Sequence, residues 1–220
     1  MDIKGVIFDM DGVIVDSEPL HFESDRRTMA EVGVDLIFED MKPYIGTPDR
    51  QTYGALKQKH GLTETVEDLL EKQKKHKEAV FKEVSMKPME GLMELMDHLK
   101  GQGFKIGLAS SSKKKFIRHV LDQLQITSWF DAVVSGEDPK RGKPEPDIFL
   151  MAAAWMGCEP EACIVIEDST HGIQAARQAN MFVYGLYNPN SGEQDLSRAH
   201  MIVSSLGEIL IHLKTNSLDV

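Results

Sequence analysis

Cysteine is scarce: the 220 residues contain two, Cys158 and Cys163. They are not spaced as CxxC and no histidine pair stands near them at a zinc spacing, so a disulfide framework and a zinc site are both excluded as organising devices. Two plain thiols suit a reducing cytosol, and a cytoplasmic location is expected. No apolar run approaches the length of a bilayer span, so no membrane partner is expected. The first eight residues lack a basic segment followed by a long apolar one, and no secretory leader is read there. Basic excess is missing too. The net charge is −10, a poor match for nucleic acid or an anionic membrane surface. An anionic small molecule is still allowed, because a bound metal and a few placed cations govern a local site. Internal repeats and low-complexity linkers are absent. What is present is ordinary globular composition, 41% hydrophobic and 27% charged, in a chain long enough to bury a sizeable core.

The chain divides by pattern. Gly5 to Phe8 is a short apolar run of strand length. From Ser17 to about residue 84 only helical patterns follow: one helix with Ser17 as cap and running to about Val32, one from about Asp49 to Lys59 with Thr47 as cap, and one opening at Thr63. Pro43, Gly46 and Pro48 mark a break between the first two. The charged run from Glu71 to Lys77 reads as a solvated helix face. After residue 91, helices and strands alternate. Strands are read at 104–109, 132–134, 163–166, 182–185 and 201–203, with helices near 92–99, 117–124, 146–155, 173–178 and 206–213. That alternation predicts an α/β fold, a Rossmann-like parallel sheet covered by helices on both faces, with an all-helical domain inserted after the first strand. The expected boundaries are 1–16 with 85–220 for the core and 17–84 for the insert.

Chemistry concentrates where these strands end. Asp9 and Asp11 follow the first strand, one residue apart, with Gly12 next. In extended chain, residues two apart point to one side, so both carboxylates aim at one small volume. Like charges that close need a cation or a proton between them. An all-oxygen cluster suits Mg²⁺, which also bridges phosphate oxygens, and a carboxylate beside it can attack phosphorus. Ser110, Ser111 and Ser112 follow the strand at 104–109; Glu167 and Asp168 follow the one at 163–166. Lys143 lies in the proline-rich loop Gly142-Lys143-Pro144-Glu145-Pro146-Asp147. In open α/β sheets, ligands bind at the carboxyl ends of strands. One sheet edge would thus gather what phosphoryl transfer needs: carboxylates for a metal, donors for phosphate oxygens, and a nucleophile.

These motifs together resemble the haloacid dehalogenase superfamily of phosphotransferases. The match is DMDGV at 9–13, a strand-terminal serine at 110, Lys143 within GKPEPD, Glu167-Asp168, and the run Ser169-Thr170-His171-Gly172-Ile173 behind them. It covers essentially the whole chain, and the helical insert looks like the small cap of the branch holding β-phosphoglucomutase and sugar-phosphate phosphatases. The resemblance implies Asp9 as nucleophile and Asp11 as general acid, then base. It implies Mg²⁺ held by Asp9, Asp168 and the backbone carbonyl of Asp11, with Glu167 supporting or replacing a ligand. Ser110, with Ser111 beside it, and Lys143 would bind phosphate. Ser112 is the better candidate to cap the next helix. His21 matches a position that helps place the acid, or is a plain helix-face histidine. Of Lys113, Lys114 and Lys115, at a helix start, one could help attract an anion, though such a run is more often simply solvated; no role is read for His171.

The resemblance implies a Mg²⁺-dependent phosphatase acting, as a monomer, on a small phosphorylated metabolite. The second Asp argues against halide chemistry, since dehalogenases of the superfamily generally lack it. A hexose-phosphate mutase using the same aspartyl phosphate is the main alternative; an idle regulatory protein on this scaffold is a further one, and a response-receiver domain fits less well because of the insert and the Asp9–Asp11 spacing. Against the mutase stands Tyr44-Ile45-Gly46-Thr47-Pro48-Asp49-Arg50. The mutase pattern needs a Lys and an Arg flanking that Gly; Ile45 and Asp49 stand there instead, with Arg50 one place further on.

Overall fold

A computed structural model describes residues 2–45 and 47–215. Their contacts divide into two units, which are taken separately. The first comprises residues 1–16, 86–189 and 193–220. Its six strands are β1 (Gly5–Phe8), β2 (Lys105–Ser110), β3 (Ala132–Ser135), β4 (Cys163–Glu167), β5 (Phe182–Leu186) and β6 (Met201–Val203). All pair in parallel, in the order β3-β2-β1-β4-β5-β6. Val6-Ile7-Phe8 and Ile164-Val165-Ile166 are apolar without alternation, as strands buried on both faces must be.

Side chains alternate across the sheet. Ile7, Ala109, Val165 and Val183 meet one layer built from α7 (Asp147–Met156) and α8 (Thr170–Gln178). Val6, Phe8, Ile106 and Leu108 face the other way, toward α5 (Leu92–Gly101) and α9 (Leu206–Lys214), which pack on each other. Leu92, Leu95, Met96 and Leu99 of α5 are fully buried, the face read from their spacing of three and four. A further helix, α6 (Lys114–Leu124), follows β2. The Rossmann-like parallel sheet layered with helices is therefore as expected.

The chain leaves this unit after Asp16 and returns at Met86, where Val15 bridges Pro88 and Met89 N–H donates to the Ile14 carbonyl at 2.8 Å. The second unit is residues 17–85 with Asn190–Gly192. It holds α1 (Glu18–Ala30), a short α2 (Phe38–Met41), α3 (Asp49–His60) and α4 (Val66–Glu83), around a core of Met29, Leu36, Met41, Tyr53, Leu56 and Leu69. Two starts differ from the sequence reading. Pro48, not Thr47, precedes α3, and Thr65 rather than Thr63 caps α4: its hydroxyl accepts from Asp68 N–H at 3.1 Å and Asp68 accepts from Thr65 N–H. The Thr-x-x-Asp spacing of 65–68 is a capping box, a stronger start signal than a lone threonine two residues earlier.

Candidate active site

Strand order reverses between β1 and β4, the topological switch point where a crevice opens beyond the strand ends. The ladder continues one residue past β1, since Asp9 N–H donates to the Ile166 carbonyl at 3.0 Å. With Phe8 in register with Ile166, Asp9 emerges beside Glu167. Two buried carboxylates side by side are costly unless a cation sits between them. Lys143 supplies it: its ammonium donates to Asp9 Oδ1 at 2.5 Å and to Glu167 Oε1 at 2.6 Å. Its side chain is 7% exposed and lies 5.0 Å over the Phe149 ring. Burial works against the charge of Lys143, but Asp9 and Glu167 outweigh it and hold the ammonium well above its ordinary value.

Glu167 is committed on its other side as well. Its Oε2 accepts from Ser169 N–H at 2.7 Å and Ser169 Oγ at 2.9 Å. Ser169 caps α8 in turn, its hydroxyl accepting from Gly172 N–H at 3.0 Å. Gly172 is required by close approach: a Cβ there would lie 1.7 Å from Glu167 Oε1. The run from Glu167 to Gly172 is thus one device that seats a buried carboxylate on a helix start.

Gly12 turns the chain after Asp11, with φ at 83°, a conformation costly for any other residue. Asp11 Oδ2 accepts from Ser112 Oγ at 2.9 Å and Ser110 Oγ at 3.5 Å, and Ser110 Oγ accepts from Ser112 N–H at 3.0 Å. The end of β2 thereby orients the second carboxylate. Burial pushes the Asp9 carboxyl well above the usual range; Lys143 pulls it down, and the charges of Glu167, Asp168 and Asp11 push it up again. Four carboxyl groups against one ammonium leave the site short of positive charge.

Among the described residues no three His, Cys, Asp or Glu side chains make a metal cluster by themselves. Both oxygens of Glu167 are engaged, one by Lys143 and the other by Ser169, so this carboxylate helps seat Lys143. What could hold a cation is the pair Asp9 and Asp168 with the backbone carbonyl of Asp11. An oxygen-only set with surplus negative charge fits a hard divalent ion.

A sequence profile of the haloacid dehalogenase-like hydrolases matches residues 6–186. The chain belongs to the haloacid dehalogenase-like hydrolases. Over 214 residues it is 31% identical to the phosphorylated carbohydrates phosphatase of Thermotoga maritima, covering 96% of this chain and 99% of that one. It is equally 31% identical, over 219 residues, to the beta-phosphoglucomutase of Bacillus subtilis, covering 96% and 93%. Among solved structures, a haloacid dehalogenase family hydrolase from Deinococcus radiodurans, with bound phosphate and sodium, superposes with a TM-score of 0.85 at 27% identity, covering 99% of this chain and 97% of that one.

The hydrolase brings Asp9, Asp11, Ser110, Lys143, Glu167 and Asp168 to one sheet edge. Ser111 is exposed. Ser112 does not cap α6, where Lys113 holds the cap position without a side-chain bond; its hydroxyl goes to Asp11 instead. That role was missed, since i+2 spacing beyond a strand end fixes no partner. His21 belongs to the helical unit, edge-on to Phe81 with centroids 5.6 Å apart. His171 is exposed, and Gly46 lies outside the described residues.

Proposed function

We propose that this hydrolase is a Mg²⁺-dependent phosphatase for a monophosphate ester of a small carbohydrate, working through an aspartyl phosphate on Asp9. The observation that carries the reading is the buried Asp9 carboxylate at the end of β1, fixed by Lys143 at 2.5 Å. An Asp9 oxygen attacks phosphorus, and the ester P–O bond breaks. Asp11, held by Ser112, gives its proton to the departing alkoxide oxygen. It then takes a proton from water, which attacks the phosphorus of the aspartyl phosphate and frees inorganic phosphate and Asp9. Lys143 and the Ser110 hydroxyl bind the transferring group's oxygens. Mg²⁺, held by Asp9, Asp168 and the Asp11 carbonyl, would supply charge neutralisation at the phosphate.

Hydrolysis is favoured over the mutase reading by the first loop of the insert. A mutase must hold a second phosphate. Ile45 is an apolar group there, and a Cβ at Gly192 would lie 3.1 Å from its Cβ. Asp49 would repel a dianion. The Arg50 guanidinium donates to Glu67 at 2.7 Å.

The test supplies β-glucose 1-phosphate with catalytic bisphosphate and follows glucose 6-phosphate and free phosphate. Rapid isomerisation with little free phosphate would overturn hydrolysis. Mass spectrometry of protein quenched during turnover should find phosphate on Asp9; phosphate on another residue alone would sink the nucleophile assignment. Mg²⁺ should also raise the melting temperature of the wild type and not that of Asp168→Asn.

A further inference from the structure

The sheet has an opposite edge, where the strands begin, and both cysteines lie there. α7 ends at Met156, and Gly157, with φ at 70°, turns the chain so that Cys158 N–H donates back to the Ala153 carbonyl at 2.9 Å. A short turn, Pro160–Ala162, then leads into β4, whose first residue is Cys163. In the ladder Cys163 stands opposite Gly5 of β1. Gly5 has no side chain, and sulfur takes up the room: a Cβ there would lie 3.3 Å from Cys158 Sγ and 3.4 Å from Cys163 Sγ. The two thiols therefore border one methyl-sized space. Their sequence spacing, which is not CxxC, gives no sign of it.

The two differ in access. Cys163 is fully buried and donates its S–H to the Glu159 carbonyl at 3.4 Å. Burial, with Cys158 and Glu161 adding to it, pushes this thiol up to about 12, so it stays protonated. Cys158 is partly exposed and lines a cavity of about 350 Å³ together with Met156, Lys4 and Lys105. Each ammonium also pairs with a carboxylate outside that lining, Lys4 with Asp2 at 3.4 Å and Lys105 with Asp131 at 2.9 Å. An accessible thiol beside cations, backed by a second thiol, is the arrangement of an oxidisable pair.

We propose that Cys158 is a site of oxidation by hydroperoxides, and that Cys163 resolves it to an intramolecular disulfide. The Cys158 sulfur attacks one peroxide oxygen and the O–O bond breaks. Cys158 becomes a sulfenic acid, and its thiol proton goes to the departing oxygen, which leaves as water or an alcohol. The Cys163 sulfur then attacks the Cys158 sulfur. The S–S bond forms, and the hydroxyl group leaves with the Cys163 proton as water. The thiol pair has lost two electrons and the peroxide has gained them. The bond ties the end of α7 to the start of β4, at the far end of that strand from Glu167. This chemistry is independent of the phosphatase reading.

The test treats the native protein with hydrogen peroxide, with and without dimedone, which traps sulfenic acids, and maps unreduced peptides by mass spectrometry. Wild type should form a Cys158–Cys163 disulfide, and dimedone should divert it to an adduct on Cys158. Cys163→Ser should give the Cys158 adduct and no intramolecular bond, while Cys158→Ser should slow thiol loss at least tenfold. If Cys163→Ser does not fold, wild type with dimedone decides. A first adduct on Cys163 overturns the inference, as does oxidation of Met156 with both thiols intact. So does a Cys158 sulfenic acid that persists in wild type or links two chains.

Discussion

Lys143 holds two carboxylates that could not otherwise both be charged side by side. Its ammonium is 2.5 Å from Asp9 and 2.6 Å from Glu167, with all three side chains under a tenth exposed. Removing one partner of a buried ionic set leaves the rest uncompensated, which costs about 3–5 kcal/mol. Lys143→Ala should lose stability of that order in urea at neutral pH. Adding Asp9→Asn, which removes one of the stranded charges, should restore part of it. If the double variant is as unstable as the single, the cost lies in lost packing on Phe149 instead.

Asp25 is the opposite case, a carboxyl whose charge is opposed. Burial is the main cause that raises it to about 6, with Asp49 adding to the rise and Tyr53, Lys77 and Gln73 working against it; Glu18 and His21 line a cavity of the helical unit that Asp25 also lines. An acid raised on folding binds its proton more tightly in the folded state. Stability therefore falls as pH climbs from about 4 toward 6, by up to about 3 kcal/mol. Asp25→Asn keeps an oxygen for the Tyr53 hydroxyl and has no proton to lose. Its melting temperature relative to wild type should rise between pH 4 and pH 7.5 and then level off. A difference flat across that range would mean that Asp25 titrates normally.

At the scale of elements, the site is made by where strands stop. β1, β2 and β4 each end within a residue or so of a chemical group, and α8 starts on the carboxylate β4 delivers. Gly172 is the tightest point. Gly172→Ala would place a methyl 1.7 Å from Glu167 Oε1. The carboxylate must move, and Lys143 with it. Overpacking of this kind costs about 1–3 kcal/mol, and here turnover should fall further than stability does. Equal losses in both would mean that Glu167 merely fills space. The alternation of strands and helices was legible because strands buried on both faces are short apolar runs bounded by polar ends, and the carboxylate pair was legible from its own spacing. Less so were the pairings across the chain. The bond from Ser112 to Asp11 spans 101 residues, and the engagement of Glu167 by Ser169 appears only once β4 meets α8. Capping was misread at Thr47 and Thr63 because a hydroxyl near a helix start is not a cap until the residue three further on answers it, as Asp68 answers Thr65.

For the whole molecule, the net charge of −10 sets a field that a dianionic ester must cross. Lys143 attracts phosphate at contact distance, but it is enclosed among carboxylates, so the long-range field stays that of the acidic surface. Screening lengths are about 30 Å at 0.01 M and about 8 Å at 0.15 M ionic strength. Salt should therefore remove repulsion before it weakens the buried contacts. With Mg²⁺ saturating at every salt concentration, kcat/KM for a sugar monophosphate should rise severalfold over that range, through KM rather than kcat. A doubly phosphorylated ester, with more charge to repel, should show the steeper rise, although its absolute rate stays lower. A kcat/KM that falls with salt for both esters would mean that the positive charge around Asp9 reaches beyond the site and governs approach.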